Sequence, residues 1–415
     1  TLELEADIPA TQHYDITVVL GADTPSTCRI LANGEPVYTL KAEENENFVR
    51  ATVQGIFLSK GKCKLEIEPV SGIVDIDCVE LVNNTSLYDE DAAISQTPVN
   101  PHASASAKAL LKFLADSYGR KIVTGQYVSD STNRELEQIY QVTGAYPLIR
   151  FADMQNYSRN GGNAAQATAV EDSLAWAQEG GIAGLSWYWN APAGNASIYA
   201  KDTTFDLSAA VTDKDIATAT DAQLSQMAAS GEISEGCYAM IQDIDAVSEQ
   251  LKKLADADVP VLWRPLMEAG GDWFWWGASG ADAYRWLWEL MYTRMTEYHQ
   301  LNNLLWIWNG QSSSYQVNKS QYDIASLDVY VKDKTEAYGS RYEQYVALRN
   351  MTGGKLLALS ECSTVPDMNA MFRDNAVWSF FGLWYAPYLG EYTSNDALLS
   401  VYHSEGALVR GDYQP

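Results

Sequence analysis

From Lys108 onward the chain alternates short apolar runs with amphipathic stretches, a rhythm that few folds satisfy. The apolar runs are KIVTGQ, YPLIRFAD, GIAGLSW, VPVLWRPLME, NLLWIWN, DIASLDVY, KLLALSE and SFFGLWY. Between them lie helix-like stretches such as NRELEQIYQVT and ADAYRWLWELMYTRMTEYH. Eight strands alternating with helices predict a closed (β/α)8, or TIM, barrel of the α/β class. A doubly wound open sheet shares the alternation, but no glycine-rich phosphate loop follows any of the strands.

The first 83 residues read differently. YDITVVL, CRILANG, PVYTLKA, NFVRATV, KCKLEIEPV and VDIDCVELV alternate with period two and are separated by turn signals. They predict a small antiparallel β-sandwich over residues 1–83. Residues 84–104 are polar with prolines and read as a linker, which leaves 105–415 for the barrel. All 13 tryptophans fall between Trp176 and Trp384, so the two parts also differ in composition. The third βα connection, Trp189 to about Cys237, is long, and on a barrel it falls on the reactive face.

Bulk properties exclude several classes of function. A formal charge of −26 disfavours nucleic acid, whose phosphates call for clustered Lys and Arg. No apolar run approaches the ~20 residues of a membrane-spanning helix, so no membrane association is expected. The opening residues TLELEADIPATQHYD lack the basic and apolar regions of a signal peptide. Cys28, Cys63, Cys78, Cys237 and Cys362 are odd in number and far apart, and are expected to be buried free thiols. The four histidines are also scattered, which argues against a His-based metal site or a Ser-His-Asp triad.

Barrel enzymes carry their reactive groups at the C-terminal ends of strands. VLWRPLME ends in Glu268 and LLALSE ends in Glu361, on strands four and seven, across the barrel mouth from each other. A carboxylate closing an apolar strand is costly unless it is used or paired. Two carboxylates across a sugar-sized cleft are the machinery of glycoside hydrolysis, one as acid/base and one as nucleophile. The alternative is a pair of structural carboxylates. Arg264 precedes Glu268 by four residues, and strand alternation would point both the same way. It would either hold the nucleophile ionised or form a structural ion pair.

Aromatic residues crowd these strand ends. Trp273 and Trp276 follow Glu268, Trp187 and Tyr188 close strand three, Trp308 lies on strand five, and Trp384 closes strand eight. Flat rings stack on the apolar faces of sugars, so these side chains and Arg264 are the candidate substrate contacts.

WRPLMEAGGDWFWWG resembles the acid/base segment of glycoside hydrolase family 26, and KLLALSECSTVPD resembles its nucleophile segment. LSWYWNAP, LLWIWNGQ, DIASLDVY and WSFFGLWYAPYLGEYT match in the same order, so the resemblance covers about residues 105 to 415. It implies a retaining hydrolase, mostly acting on β-1,4-mannan, with Glu268 as acid/base and Glu361 as nucleophile. Trp273, Tyr330 and Trp384 then flank the cleaved bond, and catalysis needs no cofactor. Two positions depart from the family pattern, Met267 and Tyr188, where histidine is usual. The histidine that Met267 replaces corresponds to a donor to the sugar 2-hydroxyl, and a thioether cannot donate. Tyr188 is a substitute donor.

The departures keep β-1,4-xylan, β-1,3-xylan and mixed-linkage β-glucan open as substrates, and a non-hydrolysing glycan-binding barrel as an alternative of another class. The N-terminal sandwich resembles a family 35 carbohydrate-binding module that this chain enters after its usual first strands. That resemblance implies a structural calcium, with Asp75 or Asp77 as a ligand. The whole is expected to be a monomer acting on plant-type β-linked polysaccharide, secreted or on the surface of a bacterium.

Overall fold

The computed structural model describes residues 1–9, 12–84, 94–331 and 339–414. They form two compact units. The first gathers Thr1–Ala93 with two segments from far along the chain, Gly339–Tyr342 and Asp367–Val377. The second comprises Ile94–Tyr338, Glu343–Pro366 and Trp378–Pro415.

Strands β1 (Leu2–Ile8), β2 (Gln12–Ala22), β3 (Ser26–Ala32), β4 (Glu35–Ala42), β5 (Asn45–Leu58), β6 (Gly61–Ser71) and β7 (Asp75–Asn83) build the first unit. They pair antiparallel in two sheets, ordered β1-β6-β3-β4 and β5-β2-β7. Alternation explains the sandwich. On β6, Cys63, Leu65 and Ile67 turn inward while Lys62 and Lys64 stay at the surface. Ile16, Val18, Leu20, Ile30 and Ile56 complete the core between the sheets. Asn33 and Gly34, with φ of 52° and 85°, form the tight turn that sets the β3–β4 hairpin.

The unit also holds a helix of the later chain, Met368–Arg373. Phe372 stacks on Phe57 with ring centroids 4.2 Å apart. The buried His13 donates through Nε2 to the Phe372 carbonyl at 2.9 Å, and Asn375 Nδ2 donates to the Gly55 carbonyl at 3.1 Å.

The calcium expectation does not fit. Asp75 and Asp77 are exposed on β7, and neither joins a group of three acidic or metal-ligating side chains among the described residues. Calcium takes six to eight oxygens, and two exposed strand carboxylates do not supply such a cage.

In the second unit β8 (Ile122–Val123) pairs with the short strand β17 (Ala407–Leu408). The barrel is β9 (Gly125–Tyr127), β10 (Ile149–Asp153), β11 (Ile182–Trp187), β12 (Val261–Pro265), β13 (Leu304–Trp308), β14 (Ile324–Val329), β15 (Leu356–Cys362) and β16 (Phe381–Leu383). Its eight strands are parallel and close through β16–β9 pairing. Strands β10 to β16 fall in seven of the apolar runs, because strands covered on both faces read as continuous apolar sequence. The first run is split, with its apolar Ile122–Val123 in β8 and only Gly125 and Gln126 in the barrel strand β9. Long amphipathic helices such as Glu235–Asp256 and Ala281–Thr293 pack their apolar stripes inward.

The expected linker is not free along its length. Residues 85–93 lie outside the described residues, but Ile94 onward belongs to the barrel unit. Val99 N–H donates to Asp323 Oδ1 at 2.7 Å, Asn100 Nδ2 to Asn302 Oδ1 at 3.0 Å, and Ser104 N–H to the Asn302 carbonyl at 2.7 Å. Cys28, Cys63, Cys237 and Cys362 are buried and Cys78 is exposed, and none of the five forms a disulfide. Among the described residues no helix is long and apolar enough to cross a membrane.

Candidate active site

Strands four, six and seven, β12, β14 and β15, bring three acids together. Glu268, Asp328 and Glu361 each offer a carboxylate oxygen, and these lie within 4.8 Å of one another. Asp328 is the member that sequence reasoning missed. It sits within the apolar run DIASLDVY, and a buried Asp in such a run is itself a signal of a partner. The partner is Arg264. Its fully buried guanidinium pairs with Asp328 through Nη2 and with Glu361 Oε1 through Nη1, the latter at 2.6 Å.

Glu361 lies on β15, only 3% exposed, inside a ring of donors. Besides Arg264, the Tyr330 hydroxyl donates to Oε2 at 2.6 Å, and the Tyr188 hydroxyl donates to Oε1. Donors of this strength favour a charged carboxylate.

Glu268 is held differently. Strand β12 ends at Pro265, and the chain then turns through left-handed backbone at Leu266 (φ 51°) and Glu268 (φ 54°). Non-glycine residues rarely adopt this region, and its occurrence here marks a constrained site. The turn is held by Asn309, whose carbonyl and Oδ1 accept from the Glu268 N–H at 2.6 and 3.1 Å. Asn309 was likewise missed, although its segment LLWIWNGQ had been singled out. Although the strand ends at Pro265, Arg264 and Glu268 both reach the acid cluster, as expected, and Arg264 pairs with the expected nucleophile Glu361. The Glu268 carboxyl accepts from Trp273 Nε1 and Gln311 Nε2, both at 3.0 Å. Burial, and then the charge of Glu361, push it above the usual carboxylate range.

The aromatic candidates divide by exposure. Trp273 is 47% exposed and Tyr330 36%, while Tyr188 and Trp384 are half-buried beside the acids. Trp187, Trp276 and Trp308 are corrected: all three are fully buried and present no ring face to a ligand. Trp187 stacks on Trp189 at 4.1 Å and bonds Ser158, while Trp276 stacks on Phe274 at 4.6 Å and donates to the Met267 carbonyl. Strand position indicates which way a ring points, not how much structure lies over it. The long third connection returns to the site. Ala200 N–H donates to the Trp273 carbonyl at 2.9 Å and Trp275 N–H to the Ile198 carbonyl at 3.1 Å, which pins the loop after Glu268. A cavity of about 500 Å³ reaches the site at Tyr188 and Trp384 and is lined also by Tyr385, Tyr199, Asp153 and Arg150, but by none of the three acids.

A closed barrel with two glutamates converging at its mouth, ringed by aromatic side chains, defines a glycoside hydrolase. Comparison with known proteins narrows the class. Residues 99–411 match the model of Glycosyl hydrolase family 26, and the chain belongs to that family. It is 31% identical to the mannan endo-1,4-beta-mannosidase of Thermothelomyces thermophilus, over all of this chain and 83% of that one. It is 30% identical to mannan endo-1,4-beta-mannosidase B of Piromyces sp, over all of this chain and 71% of that one. Among solved structures, the Podospora anserina GH26-CBM35 β-(1,4)-mannanase superposes with a TM-score of 0.73 at 28% identity, covering 99% of this chain and 89% of that one. A β-mannanase from a symbiotic protist of the termite Reticulitermes speratus, complexed with gluco-manno-oligosaccharide, gives 0.68 at 26% identity, covering 77% and 98%.

Proposed function

We propose that this chain is an endo-acting β-1,4-mannanase that cleaves with retention of configuration. The observation that carries the reading is that one carboxylate oxygen of Glu268 and one of Glu361 lie within 4.8 Å of each other. Retaining enzymes hold their carboxyl groups ~5–5.5 Å apart, whereas inverting enzymes need ~6.5–9.5 Å to admit a water. Glu361, surrounded by donors, attacks the anomeric carbon as a carboxylate. Glu268, whose carboxyl is raised, passes its proton to the departing glycosidic oxygen. It then takes a proton from the water that releases the sugar from Glu361. Arg264, itself paired with Asp328, holds the nucleophile's charge in place, and Trp273 and Trp384 offer ring faces to the sugars on either side.

Catalysis needs no cofactor. The polymer is plant-type β-mannan, a reading supported by relatives named mannan endo-1,4-beta-mannosidase, and the enzyme works outside the cell, where that polymer is found. In this reading the protein acts as a monomer. The N-terminal sandwich serves as a carbohydrate-binding module, a reading supported by the full-length likeness to the GH26-CBM35 enzyme.

The test is to incubate the protein with β-1,4-mannan, β-1,4-xylan, β-1,3-xylan and mixed-linkage β-glucan, and to follow reducing ends, product lengths and the anomer first released. Mannan should give intermediate oligosaccharides early, released as β-anomers. Faster turnover of another polymer overturns the substrate, and an α-anomer overturns the mechanism.

A further inference from the structure

Tyr188 stands where the family pattern has histidine, and its hydroxyl reaches the nucleophile rather than open cleft. Three contacts fix the ring. The Tyr188 N–H donates to Asp153 Oδ1 at 2.9 Å, while Phe274 and Trp384 meet the ring edge-on with centroids 5.9 and 5.8 Å away. Asp153 is held in turn, since the same Oδ1 accepts from the Gln155 N–H at 3.0 Å. Met267, which replaces the second histidine, is fully buried.

From this geometry we infer that Tyr188 is a positioning residue that stabilises Glu361 as the leaving group in the second half of the reaction. The inference rests on the retaining mechanism proposed above. In that half-reaction a water oxygen bonds the anomeric carbon and its proton passes to Glu268. The bond from that carbon to Glu361 breaks, and its electron pair returns to the carboxylate. A donor on Oε1 is worth more as the ester becomes a charged carboxylate, so it speeds departure. The same donor makes the carboxylate a weaker base, so the first half-reaction gains less from it.

Other charges bear on Glu361 and stay in place when Tyr188 is changed. Arg264 and Tyr330 bond it directly, and Asp328 and Glu268 stand within carboxylate reach. Tyr127, Asp153 and Tyr385 feel its charge from strands one, two and eight.

Tyr188→Phe removes only the hydroxyl. On manno-oligosaccharides kcat should fall about 10- to 100-fold, the scale of a hydrogen bond to a charged group. KM should fall with it, because the glycosyl-enzyme accumulates, so kcat/KM changes less. In protein carrying 13C-labelled glutamate, with the Glu361 resonance identified by its loss in Glu361→Gln, the carboxyl resonance should move from its wild-type position at neutral pH, because the donor on Oε1 is gone. In Tyr188→His a donor at this position should return the resonance toward the wild-type position. A fall in kcat/KM with KM raised and kcat unchanged would make Tyr188 a ground-state sugar contact and overturn the inference. So would an unmoved resonance. The carbon spectrum needs no turnover, so a protein that leaves mannan untouched would overturn the substrate and still decide the role of Tyr188.

Discussion

The ends of strands four and seven carry the same residue type in opposite surroundings. Glu361 remains inside its strand, buried, with one cationic and two phenolic donors on its oxygens. Glu268 lies beyond its strand in a left-handed turn, half-buried, with an indole and an amide as donors and Asp328 as a further hydrogen-bond partner. The first environment stabilises the ion and the second the neutral acid. Two chemically identical side chains therefore divide nucleophile from acid through their neighbours alone.

The sharpest break of that comparison is Glu361→Gln, which removes the nucleophile and should abolish turnover of polymer with the fold intact. Retained near-native rates with normal thermal unfolding would place the nucleophile elsewhere. Glu268→Gln should cost about 10²- to 10⁴-fold on polymer, the range of general acid catalysis, and much less on aryl glycosides whose leaving group needs no proton. Equal losses on both substrates would deny Glu268 its proton-transfer role.

The asymmetry also has a pH signature. Because burial and the Glu361 charge raise the Glu268 carboxyl, the acid remains protonated above the ordinary range, and activity is lost as pH rises through that raised value. The basic limb of kcat/KM should thus belong to Glu268. In Glu361→Gln the neighbouring charge is gone, and the Glu268 titration, read by 13C resonance, should move to lower pH. A midpoint that stays put would mean that burial alone sets it.

Much of this site could be read from sequence, and the reasons for the rest are specific. The eight strands were legible because barrel strands are apolar on both faces, and Glu268 and Glu361 stood out as acids closing such runs. Asp328 gave the same signal from inside DIASLDVY but was absorbed into the strand pattern. Trp187, Trp276 and Trp308 were assigned to the cleft because local sequence does not report what packs over a ring. The left-handed turn at Glu268 depends on Asn309, 41 residues away, and no local pattern announces it. The attachment of Asp367–Val377 to the sandwich is longer-range still.

That attachment distinguishes the two strand ends again. Beyond Glu268 the chain stays in the barrel unit, whereas beyond Glu361 it soon enters Asp367–Val377, which belongs to the sandwich's unit. Deleting residues 1–93 strips Phe372 of its stack on Phe57 and leaves the carbonyl partner of His13 uncovered. Burial of one such ring is worth about 1.5–3 kcal/mol, so Tm should fall by roughly 3–12 °C. Turnover of soluble oligosaccharides should largely survive, because every active-site residue named above belongs to the barrel unit. Hydrogen exchange should quicken over residues 363–377 and remain unchanged over 266–278. Equal protection of both segments in the truncated protein would remove this difference between the strand ends.

The smallest expected effect lies on the strand-four side, at Met267. Sequence reasoning alone makes Met267→His a restored sugar donor, with a gain on mannan. The structure argues otherwise. Met267 is fully buried between two left-handed residues, and its carbonyl accepts from Trp276 Nε1 at 2.7 Å. An imidazole placed there loses water and must find new partners, at a cost of about 1–3 kcal/mol if it finds none. The substitution should therefore lower Tm by a few degrees, with mannan turnover within a few-fold of wild type. Thermal unfolding and initial rates on mannan, xylan and mixed-linkage glucan separate the cases. A rise of tenfold or more on mannan, without loss of stability, would show that the ring reaches the sugar. Position 267 would then belong to the substrate surface, and the division between a donor-rich strand seven and a donor-poor strand four would be a consequence of this one replacement. An unchanged rate with a lowered Tm leaves that division to the backbone turn at Glu268 and the neutral donors Trp273 and Gln311.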